Sequence, residues 1–253
     1  MVDSEEISER AGVEPGTIVM PFYLLCDVSG SMAGDMGALN DGVRRLWQAI
    51  LEEPVVHDVA QVCVMSFSNT GRVLTPMGQV SLGSVPTLDF HPGEGGTDYG
   101  AAFTALAHAI KVDVAALRAA GYKVYRPCAF FLTDGEPGDR DWSQTFTTQL
   151  TYDPGTGMGM RSHPIFVPFG FRDASEPVLR QLAYPRDRGK WYHAQTNDVS
   201  EALKGILEII MNTVVNSANS AGTSKPAIMQ QPPQLGSGIE QGDSDYDPDY
   251  VWE

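Results

Sequence analysis

The chain has 253 residues, of which 42% are hydrophobic and 19% are charged. This length and composition suit one α/β domain with a packed core and additional segments at its ends. No apolar run approaches the roughly 20 residues that a membrane-spanning helix needs. The acidic, polar start also lacks the basic and then apolar order of a secretory signal. We therefore expect a cytoplasmic protein with no membrane partner.

The formal net charge is −15 and is concentrated at the two ends of the chain. Residues 1–15 carry −4 and residues 222–253 carry −5, which leaves −6 for the long stretch between them. A nucleic-acid-binding surface would be basic, so the charge argues against nucleic acid as a partner. The three cysteines lie far apart in apolar runs without metal-type spacing, which is typical of small buried residues in a reducing compartment.

The first half of the chain predicts one helix and three strands, of which the last two form a hairpin. Residues 18–26 form a continuous apolar run, as in a buried strand. Apolar residues recur at helical spacing from Leu39 to Leu51 and give one packing face. Residues 59–67 predict a second strand, and the turn around Gly71 leads into a short third strand. Strands two and three therefore predict an antiparallel hairpin at one edge of the sheet.

The second half alternates between helices and strands. Residues 128–133 are apolar on both faces, which is the signature of a central parallel strand. A last helix is expected to start at Asp198, with Glu201 three residues later as in a capping box. The other predicted elements are helices at 98–119, 142–150 and 176–182 and strands at 164–170 and 190–193.

The composition changes after residue 221. Residues 222–253 are rich in Pro, Gln, Gly, Ser and Asp, and we interpret them as a disordered acidic tail. The tail also interleaves carboxylates with Tyr246, Tyr250 and Trp252, and an alternative is that it docks onto a partner. The predicted organisation is thus an acidic N-terminal segment at 1–15, an α/β domain at 16–221 and a disordered tail at 222–253.

Strands that alternate with helices predict a doubly wound, mostly parallel sheet with one antiparallel edge strand. In such sheets, ligands bind beyond the carboxyl ends of the strands, where the loops converge. Three loops at this edge carry oxygen donors. They read Asp-Val-Ser-Gly-Ser-Met from residue 27, Gly-Gly-Thr-Asp from residue 95 and Thr-Asp-Gly-Glu-Pro from residue 133.

The residue types in these loops predict a site for a hard divalent cation. The candidate ligands are two carboxylates and three hydroxyls, namely Asp27, Ser29, Ser31, Thr97 and Asp134. Hard cations such as Mg²⁺ prefer oxygen ligands and usually retain water, with Mn²⁺ and Ca²⁺ as alternatives. Hydroxyls are neutral, so a shell rich in them leaves the ion electrophilic. Such an ion is expected to bind an Asp or Glu carboxylate of a protein partner.

These three motifs together resemble the metal-ion-dependent adhesion site (MIDAS) of von Willebrand factor type A domains. That family has an Asp-x-Ser-x-Ser motif, then a Thr, then an Asp, and all five positions match here in order. The resemblance covers roughly residues 16–221. It implies a mostly parallel sheet wrapped in helices, a bound metal ion and a role in protein–protein interaction.

Three longer sequence segments are similar to those of bacterial tellurium-resistance-associated proteins of the TerY-like group. They begin at Tyr23 (YLLCDVSGSM), Phe131 (FLTDGEPGDRDW) and Val167 (VPFGFRDASEPVLRQLA). This resemblance implies a cytoplasmic adaptor or scaffold in a chemical stress response. It also implies a kinase and a phosphatase of the same system as partners.

The same loops also allow two alternative interpretations. Asp98 and Glu136 border the site, but acids are common at helix starts because the helix dipole favours them. The alternative function is a Mg²⁺-dependent phosphohydrolase with Asp27 as nucleophile. Such enzymes require a second carboxylate two residues later, where this chain has Ser29. The three loops also lack a Lys or Arg that could bind a phosphate group. We therefore expect a binding protein rather than an enzyme.

Overall fold

The computed structural model describes residues 16–90, 94–196, 198–221 and 238–248. Within these residues the chain forms an eight-stranded sheet with helices on both faces. The strands are β1 (Ile18–Asp27), β2 (Ala60–Phe67), β3 (Gly71–Gln79), β4 (Lys123–Val124), β5 (Cys128–Thr133), β6 (Ile165–Gly170), β7 (Lys190–Ala194) and β8 (Ile239–Asp243). The α-helices are α1 (Met36–Glu52), α2 (Pro54–Val59), α3 (Tyr99–Ala119), α4 (Trp142–Leu150), α5 (Glu176–Leu182) and α6 (Val199–Ser220).

The sheet order is β3-β2-β1-β5-β6-β7-β8, and the short β4 pairs with β1. The strands from β2 to β7 along this order pair in parallel, whereas β3 pairs antiparallel with β2. Every residue of β2, β5 and β6 is buried. This burial explains why their sequences are apolar without alternation, since helices cover both faces of the sheet. The mostly parallel sheet with an antiparallel edge strand is therefore confirmed.

Alternate side chains of each strand enter two separate cores. Phe22 and Leu24 of β1 join the core under α1, α2 and α6. Tyr23 and Leu25 join the core under α3 and α4 on the other face. Among the described helices, α3 is the one long and apolar enough to cross a membrane by length and composition. Its buried face packs on the sheet, as a core helix does.

The expectation of disorder across residues 222–253 is wrong for residues 238–248. This part of the tail pairs β8 antiparallel with β7 and adds a second antiparallel strand at the opposite edge of the sheet. The segment is polar and acidic, so its composition gives no local sign of order. Its order depends on backbone pairing with β7 and on side-chain contacts to α4 and α5, which are distant in sequence. The rest of the predicted tail (222–237 and 249–253) and the N-terminal segment 1–15 lie outside the described residues.

Candidate metal-binding site

The first loop of the candidate site begins at the carboxyl end of β1. Asp27 is the last residue of β1, and Thr133 ends the neighbouring strand β5 at the same level. The Thr133 hydroxyl donates to Asp27 Oδ2 at 2.9 Å, and the backbone N–H of Ser29 donates to Asp27 Oδ1 at 2.8 Å. Asp27 is only 1% exposed. Adjacent parallel strands therefore bring the first and third loops together through this buried carboxylate.

Four of the five predicted ligands form one cluster of oxygen atoms. Ser29 Oγ lies 3.1 Å from Ser31 Oγ, and the Ser31 hydroxyl donates to Asp134 Oδ1 at 2.8 Å. Ser29 and Asp134 are buried, whereas Ser31 is exposed. The cluster thus has a buried side that carries the two carboxylates of Asp27 and Asp134, and a side that opens to solvent at Ser31.

The second loop lies between the other two. Gly30 N–H donates to the Gly95 carbonyl at 3.4 Å, which is a long bond, and Gly138 N–H donates to the Thr97 carbonyl at 2.8 Å. A Cβ on Gly138 would lie 3.3 Å from that carbonyl oxygen, so the loops approach closely there. The hydroxyl of Thr97 makes no hydrogen bond to any residue of the described ranges. The fifth predicted ligand, Thr97, is therefore a half-buried residue of the loop that contacts the other two loops through its backbone.

The donor set fits an octahedral ion with oxygen ligands. Neighbouring ligands of Mg²⁺ at 2.0–2.1 Å in an octahedron lie about 3 Å apart. The separations along Ser29, Ser31 and Asp134 are of this size. Across the described ranges, no group of three or more His, Cys, Asp or Glu side chains is placed to hold a metal. A metal site at this edge would therefore need hydroxyl ligands in addition to the two carboxylates.

The electrostatics of Asp27 also favour a cation. Burial and, to a smaller extent, the nearby charge of Asp134 raise the pKa of Asp27 from 3.8 to about 6. Hydrogen bonds from Ser29 and Thr133 oppose this rise in the pKa because they stabilise the ionised carboxylate. A buried carboxylate that is costly to ionise gains stability when a divalent cation binds beside it.

We expect metal binding to weaken at low pH. The folded protein holds a proton on Asp27 up to about pH 6, and a cation must displace that proton. The apparent affinity for Mg²⁺ should therefore be about tenfold lower at pH 5 than at pH 7.5, since about one tenth of Asp27 is ionised at pH 5. Isothermal titration calorimetry at the two pH values measures this. Equal affinities would show that Asp27 ionisation does not control binding.

Tyr99 and two further carboxylates hold the loops in place. The Tyr99 hydroxyl donates to Thr133 Oγ1 at 3.0 Å or to the Gly135 carbonyl at 2.8 Å, and its ring is buried. Asp139 accepts from the backbone N–H of Tyr99 at 2.8 Å. Asp98 caps α3 by accepting from the N–H of Ala101 at 2.7 Å, which confirms its interpretation as a helix-start residue. These contacts join the start of α3 to the third loop.

Arg172 is the residue at the site that sequence reasoning missed. Its guanidinium donates to Asp134 Oδ2 at 2.9 Å and to the Ser31 carbonyl at 3.1 Å, and it forms an ion pair with Asp35. Arg172 follows β6, so it belongs to a fourth loop at the same edge. Its φ of 53° is left-handed, which is uncommon and costly for a residue other than glycine. The only signal in the sequence was an arginine just after a strand that ends at this edge.

Comparisons with known proteins identify the fold. No protein-family model matches the chain, and no curated protein matches it in sequence. Among solved structures, the pilus adhesin SpaC from Lactobacillus rhamnosus GG in an open conformation matches with a TM-score of 0.56 and 14% identity, covering 80% of this chain and 31% of that one. Proximal thread matrix protein 1 from the mussel byssus, with a zinc-occupied MIDAS motif, matches with a TM-score of 0.52 and 14% identity, covering 80% and 49%.

A third structure, the ArnB paralog VWA2 from Sulfolobus acidocaldarius, matches with a TM-score of 0.48 and 19% identity, covering 77% of this chain and 46% of that one. The chain thus spans less than half the length of each of these three proteins. Of the three, the byssus protein is the one described with a MIDAS motif. At these identities the likeness shows the fold alone, and this chain shares the α/β fold with a mostly parallel sheet of the pilus adhesin and the byssus protein.

Proposed function

We propose that this chain is a metal-dependent protein-interaction module. The observation that supports the proposal most is the convergence of two buried carboxylates with the hydroxyls of Ser29 and Ser31 at one edge of the sheet. Independent support comes from the mussel byssus protein, which shares the fold and has a zinc-occupied MIDAS motif. Ser31 provides the exposed side at which a partner can approach.

Each residue has a distinct part in this proposal. Ser29, Ser31 and Thr97 supply neutral hydroxyl ligands, and Asp27 and Asp134 supply the negative charge, directly or through water. Where Asp27 and Asp134 act through water and only the neutral hydroxyls touch the ion, a bound ion would keep positive charge and an open position for a carboxylate of the partner. Tyr99, Asp139 and Arg172 hold the loops in register through the hydrogen bonds described above.

We expect partner binding to need the divalent ion. Full-length protein immobilised in Mg²⁺ should retain an acidic protein partner from a lysate and release it when EDTA is added. A protein with Ser29→Ala should retain at least about tenfold less of the partner, because it lacks one hydroxyl ligand while its fold is kept. Quantitative mass spectrometry of the retained proteins measures the difference. Retention that is unchanged by EDTA and by Ser29→Ala would refute the proposed function.

We also propose an identity for the ion and a class of partner. We propose Mg²⁺ as the resident ion because the donors are all oxygens, whereas Zn²⁺ sites in proteins usually include nitrogen or sulfur. Titration of the metal-free protein with Mg²⁺, Mn²⁺, Ca²⁺ and Zn²⁺ separates these ions. On the resemblance to TerY-like proteins, we propose a cytoplasmic adaptor that binds a kinase and a phosphatase of one stress-response system. Co-purification of the three proteins in Mg²⁺ and their separation in EDTA tests this assignment.

We further propose that the site binds and does not catalyse. Both oxygens of Asp27 accept hydrogen bonds from within the site, which is unfavourable for a nucleophile. The Arg172 guanidinium, the one arginine that contacts the cluster within the described ranges, already pairs with Asp134 and Asp35. Hydrolysis of a phosphoester by the purified protein with Mg²⁺, lost in Asp27→Asn, would contradict this proposal.

A further inference from the structure

The C-terminal strand β8 is bound to the edge of the sheet as an extended peptide. Five consecutive residue pairs align it antiparallel to β7, from Lys190 opposite Asp243 to Ala194 opposite Ile239. Gly238 accepts a backbone hydrogen bond from Gln195 at 2.6 Å and so extends the pairing by one residue. Pairing of this kind fixes direction and register, and side-chain contacts then determine which sequence fits.

Acidic residues of this segment meet basic residues of the domain. Asp243 forms an ion pair with Lys190, and Asp245 Oδ2 lies 3.2 Å from Arg180 Nη1. The Arg180 guanidinium also lies over the Trp191 ring, 5.2 Å from its centroid, and the Trp191 indole N–H donates to the Asp243 carbonyl at 3.0 Å. In a chain with a net charge of −15, this pair of cations at one edge favours an acidic segment.

Three residues of the segment fit the surface of the domain by their size or shape. A Cβ on Gly242 would lie 2.4 Å from the Trp191 ring, so glycine is required there. The Ser244 side chain is buried, and its hydroxyl donates to the Ala183 carbonyl. The Tyr246 ring packs 5.0 Å from that of Tyr184, and its hydroxyl lies 3.3 Å from those of two threonines of α4 and its C-terminal end, Thr147 and Thr151. The surface therefore selects the pattern Gly-x-Ser-x-Tyr with acids between.

The segment joins the domain through a long stretch of chain. Residues 222–237 separate it from α6, and a stretch of this length reaches about 55 Å when extended. If β8 leaves, β7 presents an unpaired edge, which is a template for another strand. A second copy of this chain carries the same segment, with the same acids and the same Gly-x-Ser-x-Tyr pattern, and therefore fits this edge. Exchange of an identical element between copies is a low-cost route to a dimer.

We propose that the edge formed by β7, Arg180 and the residues that contact Tyr246 (Thr147, Thr151 and Tyr184) is an exchangeable strand-binding site. The chain's own residues 238–248 fill it in the monomer, and the same residues of a second copy fill it in a dimer linked through reciprocal strands. This site lies on the lateral edge of the sheet, and its role is independent of the metal-dependent function proposed above.

A labelled peptide of residues 238–248 tests whether the site accepts a strand in trans. We expect the peptide to bind the full chain with Gly242→Val. In this variant the chain's own β8 clashes with Trp191, whereas the β7 edge that accepts the peptide is unchanged. Binding to the wild-type chain should be at least about tenfold weaker, because its own strand competes at an effective concentration near millimolar. Full-length Tyr246→Ala is a second acceptor in case Gly242→Val does not fold, and a peptide with Tyr246→Ala is the matched control. Fluorescence anisotropy measures all of these affinities.

Light scattering after size-exclusion chromatography tests the second copy as the occupant. Wild-type protein refolded at several hundred micromolar should contain a dimer fraction that Gly242→Val lacks. The proposal is overturned if the peptide binds neither variant, or if the control peptide binds equally well. Peptide binding without any wild-type dimer after refolding would overturn the second copy as the occupant and leave a partner protein's acidic strand in its place.

Discussion

Replacement of Asp27 by Asn is expected to stabilise the metal-free protein and to abolish its response to Mg²⁺. Burial raises the pKa of Asp27 to about 6, so the folded protein binds this proton more tightly than the unfolded chain does. Stability from this group is therefore full below pH 3.8 and is lost as the pH rises through about 6. At pH 7.5 the ionised carboxylate costs about 3 kcal/mol, which Asn removes. In EDTA the melting temperature should rise by about 5–10 °C.

The site can accommodate the amide. Its oxygen can accept the hydrogen bond from Ser29 N–H, and its nitrogen can donate to the Thr133 hydroxyl, which can turn towards the Gly135 carbonyl 3.3 Å away. Because the amide is neutral, Mg²⁺ should no longer raise the melting temperature of the variant. The matched control is Asp113→Asn, since burial also raises the pKa of Asp113 and its hydrogen-bond partner Tyr23 lies outside the site. That variant should keep the full response to Mg²⁺.

Scanning calorimetry with EDTA and with Mg²⁺ at pH 7.5 measures both effects on Asp27→Asn. A lower melting temperature in EDTA would mean that the hydrogen bonds of the carboxylate outweigh its burial cost. An undiminished response to Mg²⁺ would mean that the ion binds elsewhere, and the assignment of this site would then be wrong.

Replacement of Arg172 by Gln is expected to destabilise the metal-free protein, in contrast to Asp27→Asn. The Asp134 side chain is fully buried, and Arg172 is the cation that pairs with it. Loss of that cation leaves Asp134 charged and uncompensated, and Asp35 also loses its partner. Breaking a buried ion pair costs about 3–5 kcal/mol. The Arg172 side chain is 32% exposed, so solvent screening reduces the expected loss to about 1–3 kcal/mol.

Mg²⁺ should rescue this variant. The ion supplies positive charge to Asp134, so the melting temperature should fall by about 3–8 °C in EDTA and recover largely in Mg²⁺. The stabilisation by Mg²⁺ should therefore be larger than in the wild-type protein. Arg44→Gln is the matched control, because the Arg44 ion pair with Asp41 is exposed on both sides and contributes little. A loss of stability that Mg²⁺ does not reduce would show that Arg172 acts only as a structural link between loops.

The sequence alone predicted the parts of this site that are local. Asp27 follows a strand with a continuous apolar run, and Asp134 follows another, so both carboxylates are placed by strand ends that periodicity predicts well. The parallel sheet then brings these ends to one edge, and the structure shows the contact between them through Thr133. Asp98 was predicted as a helix-start residue and caps α3, because capping is a property of a few consecutive residues.

The parts that the sequence did not predict depend on contacts between distant residues. Arg172 reaches Asp134 and Ser31 only because β6 lies next to β5 and the chain adopts a left-handed conformation at that residue. The short helix α2, at Pro54–Val59, was also not predicted, since six residues give too little periodicity to recognise.

Strand β8 is the clearest case of an element that the local sequence does not predict. Its residues are polar and acidic, so their composition is that of a solvated tail. Its order comes from pairing with the edge of β7 and from the contact of Tyr246 with Tyr184. Hydrophobic periodicity in the sequence by itself determined the α/β class, the order of the main elements and the three donor loops. Only the tertiary structure decided the fourth loop and the last strand, because both are held by backbone pairing and ion pairs between residues far apart in the chain.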